Sequence, residues 1–164
     1  MTAAAAKPRV LVIGLGNPIL GDDGVGWSVA ACVAGRLGTN EQVEVDCLAV
    51  GGLSLMERML GYRHVILVDS IETGQHPIGT ISAMELGELA DPDLGHSASA
   101  HDASLITALA TGQAMGAEVP ERVEIVAIEA RVGLDFSETL SAAVAAAVTP
   151  ACEKVRELIH NSRS

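Results

Sequence analysis

The stretch RVLVIGLGNPILGDDGVG, residues 9–26, constrains the fold more than any other part of the chain. Val10, Leu11, Val12 and Ile13 make a short apolar run, Gly14, Gly16 and Gly21 punctuate a turn, and Asp22 and Asp23 follow at once. An apolar repeat at helical spacing begins beyond Gly24. The order is strand, tight loop, helix, with two adjacent carboxylates where loop meets helix. Whatever the chain does at that junction must accommodate two negative charges.

The rest of the sequence repeats this alternation. Val25, Val29, Cys32, Val33 and Leu37 predict a helix over 25–37, with Gly38 as its stop. Residues 43–50 read as a second strand running into Gly51 and Gly52, for which a tight turn is expected. Leu55, Met56, Met59 and Leu60 give a short helical face over 54–60, and HVILVD, residues 64–69, is apolar enough for a strand buried on both faces. A βαβαβ order of this kind predicts a largely parallel sheet with helices on both sides. Residues 79–86 are expected as an antiparallel edge strand, and 87–100 as a loop, functional or mobile. Ser99 and Asp102 form a shortened capping box, so a helix should start at Ala100 or His101 and run to Met115, with His101 in its first turn. A last strand is expected over 123–130. Asp135 and Glu138 should cap a final helix over 137–160, kinked or split at Pro150 with Thr149 as a fresh N-cap. The expectation is one α/β domain over 1–164, a three-layer sandwich around a mostly parallel, twisted sheet of five strands.

Composition excludes several functions. Trp27, Tyr62 and Phe136 are the only aromatic residues, too few for a base-stacking surface. A net charge of −11 repels nucleic acid and anionic membranes and favours a basic or metal-bearing partner. Cys32, Cys47 and Cys152 fall on predicted helix, strand and helix, as reduced, buried thiols of a cytoplasmic protein would. Residues 1–8 lack the apolar core of a signal peptide, and the alanine-rich run 141–148 is too short to span a bilayer, so no targeting or membrane segment is expected.

The glycine pattern has two familiar relatives, and fits neither. Gly14 and Gly16 begin a dinucleotide fingerprint, yet Ile19 stands at the third glycine position and no acid clearly ends the second strand. Gly16 and Gly21 have P-loop spacing, but Asp22 and Asp23 replace the lysine and hydroxyl residue, and two carboxylates repel a phosphate. The loop suits a cation or the close approach of a backbone. Asp69 ends the third strand, and in a parallel sheet it reaches the edge where Asp23 emerges, across the switch point where open α/β sheets bind ligands. With His101 these make an O, O, N set suited to nickel or zinc with coordination positions left open. Each residue also has a plainer role: an aspartate at a helix start commonly caps it, Asp69 could open an Asx-turn, and His96 competes with His101. Ser70 and Ser104 lack a nucleophile-elbow context, and no cysteine has the positive surroundings of a reactive thiolate.

GLGNPILGDDGVG, VILVDSI around Asp69 and SAHDASLITAL around His101 together resemble the nickel-iron hydrogenase maturation proteases, and the likeness runs in order over nearly the whole chain. The resemblance implies a single α/β domain and an aspartic-type endopeptidase that trims the C-terminal tail of a hydrogenase large-subunit precursor. It implies that Asp23, Asp69 and His101 are both metal ligands and catalytic residues, reading nickel carried by the precursor, with zinc or cadmium as other ions the site would accept. Cleavage would then signal that nickel loading is complete. The implied protein is cytoplasmic and monomeric, with the precursor as its partner and neither nucleic acid nor membrane. The chain departs from the family where many members have Glu at Asp23, which leaves open whether Asp22 shares the role, and where IEARVGLDF lacks the usual proline. Peptidyl-tRNA hydrolases share GLGNP but need a basic face and a histidine soon after it, whereas this chain is acidic and its first histidine is His64. A non-catalytic nucleotide-binding module is the third reading, weakened by the incomplete glycine pattern.

Overall fold

Strand β1, Val10–Leu15, is buried along its whole length and lies near the middle of the sheet. The computed structural model describes residues 8–89, 100–131, 133 and 135–162, and of residues 100–103 the backbone alone. A 3-10 turn, Gly21–Gly24, leads into helix α1, Val25–Leu37. Then come β2, Val43–Leu48, α2, Gly52–Met59, β3, His64–Ile71, and β4, Ile81–Glu85. A single turn α3, Leu86–Leu89, precedes α4, Ala100–Ala114, β5, Arg122–Glu129, and α5, Ala142–Asn161. The strand order is β2-β1-β3-β5-β4, parallel throughout except for β4, which runs antiparallel on the edge beside β5. The connection out of β1 goes to one side of it and β3 returns on the other, so the switch point falls between β1 and β3 as the βαβαβ order predicts.

Alternation along the strands divides the core into two layers. Val12, Val68, Val126 and Ile128 face α1 and α5, meeting Val29 and Val33 of the first and Val144 and Val155 of the second. Leu11, Ile13, Leu67 and Ile125 face the other way, onto Leu55 and Met59 of α2 and Leu105 of α4. This is the expected three-layer α/β sandwich, built almost entirely from aliphatic side chains. Among the described residues, no helix is long and apolar enough to cross a membrane.

The glycines of residues 14–26 serve the packing of α1. A Cβ at Gly26 would come within 3.0 Å of the carbonyl oxygens of both Leu15 and Val68, and one at Gly14 would meet the Gly26 carbonyl equally closely. Helix α1 therefore sits with its backbone against β1 and β3, a distance that only glycine allows. Gly16 has φ +116° and its Cβ would strike the Asp23 carbonyl, so this position requires glycine on both counts. The backbone that approaches is the chain's own.

Three expectations need correction. The loop expected over 87–100 begins later, because Leu86 and Leu89 are buried against the α2 and α4 layer and carry the chain through the short α3 first. The Ser99 and Asp102 capping box and His96 lie outside the described residues. Helix α5 starts at Ala142 with Ser141 as N-cap, not near 137. Residues around Ser137 are instead drawn back to the β1 loop, where Gly21 N donates to Ser137 O, Ser137 N donates to Ile19 O, and Leu20 and Ser137 form a parallel bridge. Nor does Pro150 split α5, which is continuous through it. Pro150 is exposed, so the missing hydrogen bond falls on the solvent side, while Ala147, Ala151, Cys152 and Val155 hold both halves against the sheet.

Candidate active site

Asp22 and Asp23 are consecutive residues of a 3-10 turn, where neighbouring side chains diverge by roughly 120° because the helix has 3.0 residues per turn. They consequently reach different partners. Asp22 turns to α5: its Oδ1 accepts the Ser141 backbone N–H at 2.7 Å and its Oδ2 accepts the Ser141 hydroxyl at 2.8 Å. A carboxylate at the start of that helix satisfies an otherwise unpaired donor and meets the positive end of the helix dipole. Asp23 turns to the sheet edge. Its Oδ2 accepts the backbone N–H of Asn17 at 2.8 Å, and the Ser70 hydroxyl donates to its Oδ1 at 3.4 Å. Asn17 is itself held by an Asx-turn, its Oδ1 accepting the Ile19 N–H at 3.1 Å.

Asp69 and Ser70 occupy the end of β3, half-buried, and because strand side chains alternate they leave on opposite faces. Ser70 shares the face of Val68, toward α1 and Asp23; Asp69 shares the face of Leu67, toward α2 and α4. Asp69 Oδ1 accepts the Ser70 N–H at 2.8 Å. Beside Asp69 lies a crevice of about 10 Å³ lined by Met84, Leu89, Ile125 and Ala127, the room of one water molecule. Helix α4 begins on that face at Ala100, so the backbone of His101 is in its first turn, as expected. The His101 side chain lies outside the described residues. Asp23 and Asp69 thus lie at the same end of the sheet, Asp23 in contact with Ser70 on the α1 face and Asp69 on the α2 and α4 face. Among the described residues, no group of three His, Cys, Asp or Glu side chains is assembled to hold a metal ion.

Two residues of this edge have no sequence motif to announce them. Ser70 contacts Asp23 only because β1 and β3 are neighbours, so its sole signal is its place after the strand-end aspartate. Glu129, at the end of β5, is buried and accepts from the backbone N–H groups of Thr73 and Gly74 and from the Thr73 hydroxyl, each at 2.9 Å. It ties the β3–β4 connection down beside Asp69. The thiols are unsuited to nucleophilic work. Cys152 is buried, and burial together with the hydrogen bond its thiol donates to Cys32 pushes its pKa up to about 11, while burial and the Asp46 carboxylate raise that of Cys47.

The whole chain has recognisable relatives. The family model described as hydrogenase maturation protease matches residues 29–158. The hydrogenase 2 maturation protease of Escherichia coli strain K12 is 26% identical over 155 residues, covering 94% of this chain and 92% of that protein. Among solved structures, the hydrogenase-maturating endopeptidase HybD from E. coli superposes with a TM-score of 0.71 at 25% identity, over 94% of this chain and 93% of the other. A hydrogenase 2 maturation peptidase from a Thaumarchaeota archaeon superposes with a TM-score of 0.67 at 27% identity, over 93% and 98%. The matched family stretch takes in both β3 with Asp69 and the start of α4, the curated relative extends the likeness over nearly all of the chain, and the sheet is that of HybD. The chain is therefore a peptidase and belongs to the hydrogenase maturation protease family.

Proposed function

We propose that this peptidase removes the C-terminal tail of a nickel-iron hydrogenase large-subunit precursor once nickel has been inserted, and that Asp23, Asp69 and His101 read the nickel the precursor carries. The observation that supports this best is the divergence of the two adjacent carboxylates. Asp22 is consumed by the start of α5, whereas Asp23 is held at the sheet edge beside the end of β3 by one backbone N–H and one hydroxyl. A carboxylate offers about four acceptor sites, so Asp23 keeps acceptor capacity for a cation while its orientation is fixed.

The donor set fits an ion that arrives with ligands of its own. Two carboxylates and one imidazole leave a borderline metal with open positions. That is the complement expected for nickel already seated in a substrate. Ser70 and the Asn17 backbone N–H orient the Asp23 carboxylate, and Glu129 holds the connection that follows Asp69. Metal loading would place the tail against this edge; an unloaded precursor would lack the contact that holds it there.

The test is to incubate the protein with nickel-loaded and nickel-free cognate precursor and follow loss of the tail by mass. Tail removal from the loaded form alone is expected. Equal processing of both forms would refute metal reading, and processing of neither would refute the assignment of substrate. Asp23→Ala, Asp69→Ala and His101→Ala should each abolish processing with the fold retained, and any of the three that remains active is thereby removed from the site.

A further inference from the structure

Six large apolar side chains stand exposed among the described residues: Ile19, Val50, Leu53, Ile78, Met115 and Phe136. Five of them share one end of the molecule. Ile19 follows β1, Val50 and Leu53 follow β2, Ile78 lies in the connection after β3, and Phe136 follows β5, so all five sit where the parallel strands end and where Asp23 and Asp69 lie. Met115 alone is elsewhere, at the end of α4. Single exposed apolar residues need no explanation, but a set drawn from four separate connections and gathered at one edge marks a contact surface.

We propose that Ile19, Val50, Leu53, Ile78 and Phe136 form an apolar collar that docks an apolar stretch of the hydrogenase precursor on either side of the bond to be cut. The inference rests on the substrate assignment above and adds the chemistry by which the protein segment is recognised. The collar is continuous with the site through the backbone. Ser137 N donates to Ile19 O at 2.9 Å and Gly21 N donates to Ser137 O, which sets Phe136 beside Ile19 on the same bridged pair of segments that carries Asp22 and Asp23. Across the edge, Gly52 lies against Ser104 of α4, so Leu53 stands on the α2 and α4 side, the side of Asp69. The collar therefore flanks the acids from both layers. Phe136 and Leu53 are 82% and 61% exposed and neither contributes to the core, so burial within this chain does not account for their apolar side chains. A metal ion is a single anchor and cannot by itself orient a peptide; a ring of apolar contacts around it supplies the orientation. The acidic chain adds a preference for a segment without carboxylates of its own.

The experiment compares the parent with Phe136→Ser, Leu53→Ser and, as control, Met115→Ser. Each is measured for affinity toward nickel-free precursor and for processing of nickel-loaded precursor. The exposure of the three side chains keeps the fold out of the comparison, and circular dichroism checks it. Each collar substitution is expected to weaken binding and raise KM about tenfold with kcat within about twofold, the pattern of lost uniform binding, while Met115→Ser changes neither. Collar variants that bind and process like the parent overturn the proposal and leave the cleavage reading standing, as does an equal loss from Met115→Ser. A parent that binds the precursor through the collar yet never cleaves the loaded form supports the collar and refutes the cleavage reading. A parent that neither binds nor cleaves overturns both.

Discussion

Replacing Asp22 with alanine should weaken the fold and spare the chemistry, whereas replacing Asp23 should remove the chemistry. Asp22 makes two hydrogen bonds to Ser141, at 2.7 and 2.8 Å, at the first turn of α5. Loss of a helix cap costs about 0.5–2 kcal/mol, and loss of a negative charge from a helix N-terminus about 0.3–1 kcal/mol. The pair is solvent-exposed, so water replaces part of what is lost, and the combined effect should be about 1–2 kcal/mol, at the lower end of that sum. For a domain of this size each kcal/mol moves Tm by about 2–4 °C, which gives a fall of about 2–8 °C by circular dichroism. Ser141→Ala removes only the hydroxyl partner and should cost less. Asp22→Ala combined with Ser141→Ala should fall short of the sum of the two, because they share a contact. Asp23→Ala leaves the Asn17 N–H and the Ser70 hydroxyl without their acceptor, so it should lower Tm by a comparable amount and, unlike Asp22→Ala, remove processing. If Asp22→Ala abolished processing at unchanged Tm while Asp23→Ala stayed active, the assignment of one acid to the helix and the other to the site would be wrong.

Other contacts give sharper tests of the scaffold. Gly26→Ala places a Cβ within 3.0 Å of two carbonyl oxygens that belong to the central strands, so α1 must lift away from β1 and β3; a destabilisation of about 2–3 kcal/mol by urea unfolding is expected, and a loss below about 0.5 kcal/mol would show that the close approach is not required. His64 is buried, its Nε2 2.7 Å from Glu124 Oε2, and burial holds its pKa below the ordinary value of 6.5 despite the opposing pull of Glu124, with Arg122 and Glu85 also near. Above that value the imidazole is neutral in both states and contributes no pH dependence. As pH falls below about 6.5 the unfolded chain takes up the proton that the folded chain resists, so stability should drop by at most about 1.4 kcal/mol per pH unit until the folded pKa is reached. His64→Gln should flatten that part of the urea-derived stability profile, and parallel profiles for parent and variant would refute the assignment. Glu129→Ala leaves the N–H groups of Thr73 and Gly74 without their acceptor, so hydrogen exchange at those two amides should accelerate; unchanged protection would show that the carboxylate does not secure the connection.

Local signals carried most of the fold. The helix over 25–37 was readable to the residue because Val25, Val29 and Val33 repeat on one buried stripe and Gly38 ends it. The five strands, their parallel pairing and the antiparallel edge followed from the alternation of elements, which topology rules convert into neighbours. Errors came where a distant segment outbid a local one. Asp135 and Glu138 spell a helix start, but the backbone around Ser137 finds its partners at Ile19 and Gly21, far away in sequence, as does Ser141 at Asp22. The glycines misled in another way. Their spacing resembles loops that approach a ligand, and the sequence does not say whether the approaching backbone belongs to a partner or to the chain itself. For the site, strand order brought Asp69 and Asp23 to one edge, but nothing local identified Ser70 as the group that touches Asp23.

The glycine contacts and the divergent acids are parts of one arrangement. With Gly14 and Gly26 allowing α1 to press its backbone on the sheet and Gly24 admitting the Pro18 backbone, the turn that carries Asp22 and Asp23 has no slack along the helix axis. The 3-10 geometry then sends the two side chains to different places, Asp22 to Ser141 and Asp23 to the end of β3. Asp23 is left with one orientation, set by Asn17 and Ser70. A group that must recognise an ion held by another protein gains from such rigidity, because a carboxylate free to swing would lose rotamer entropy on contact and would follow a misplaced metal as readily as a correct one. In the metal-reading role proposed for Asp23, Asn17, Gly26 and Ser70 act without touching the substrate, through the position of a single carboxylate.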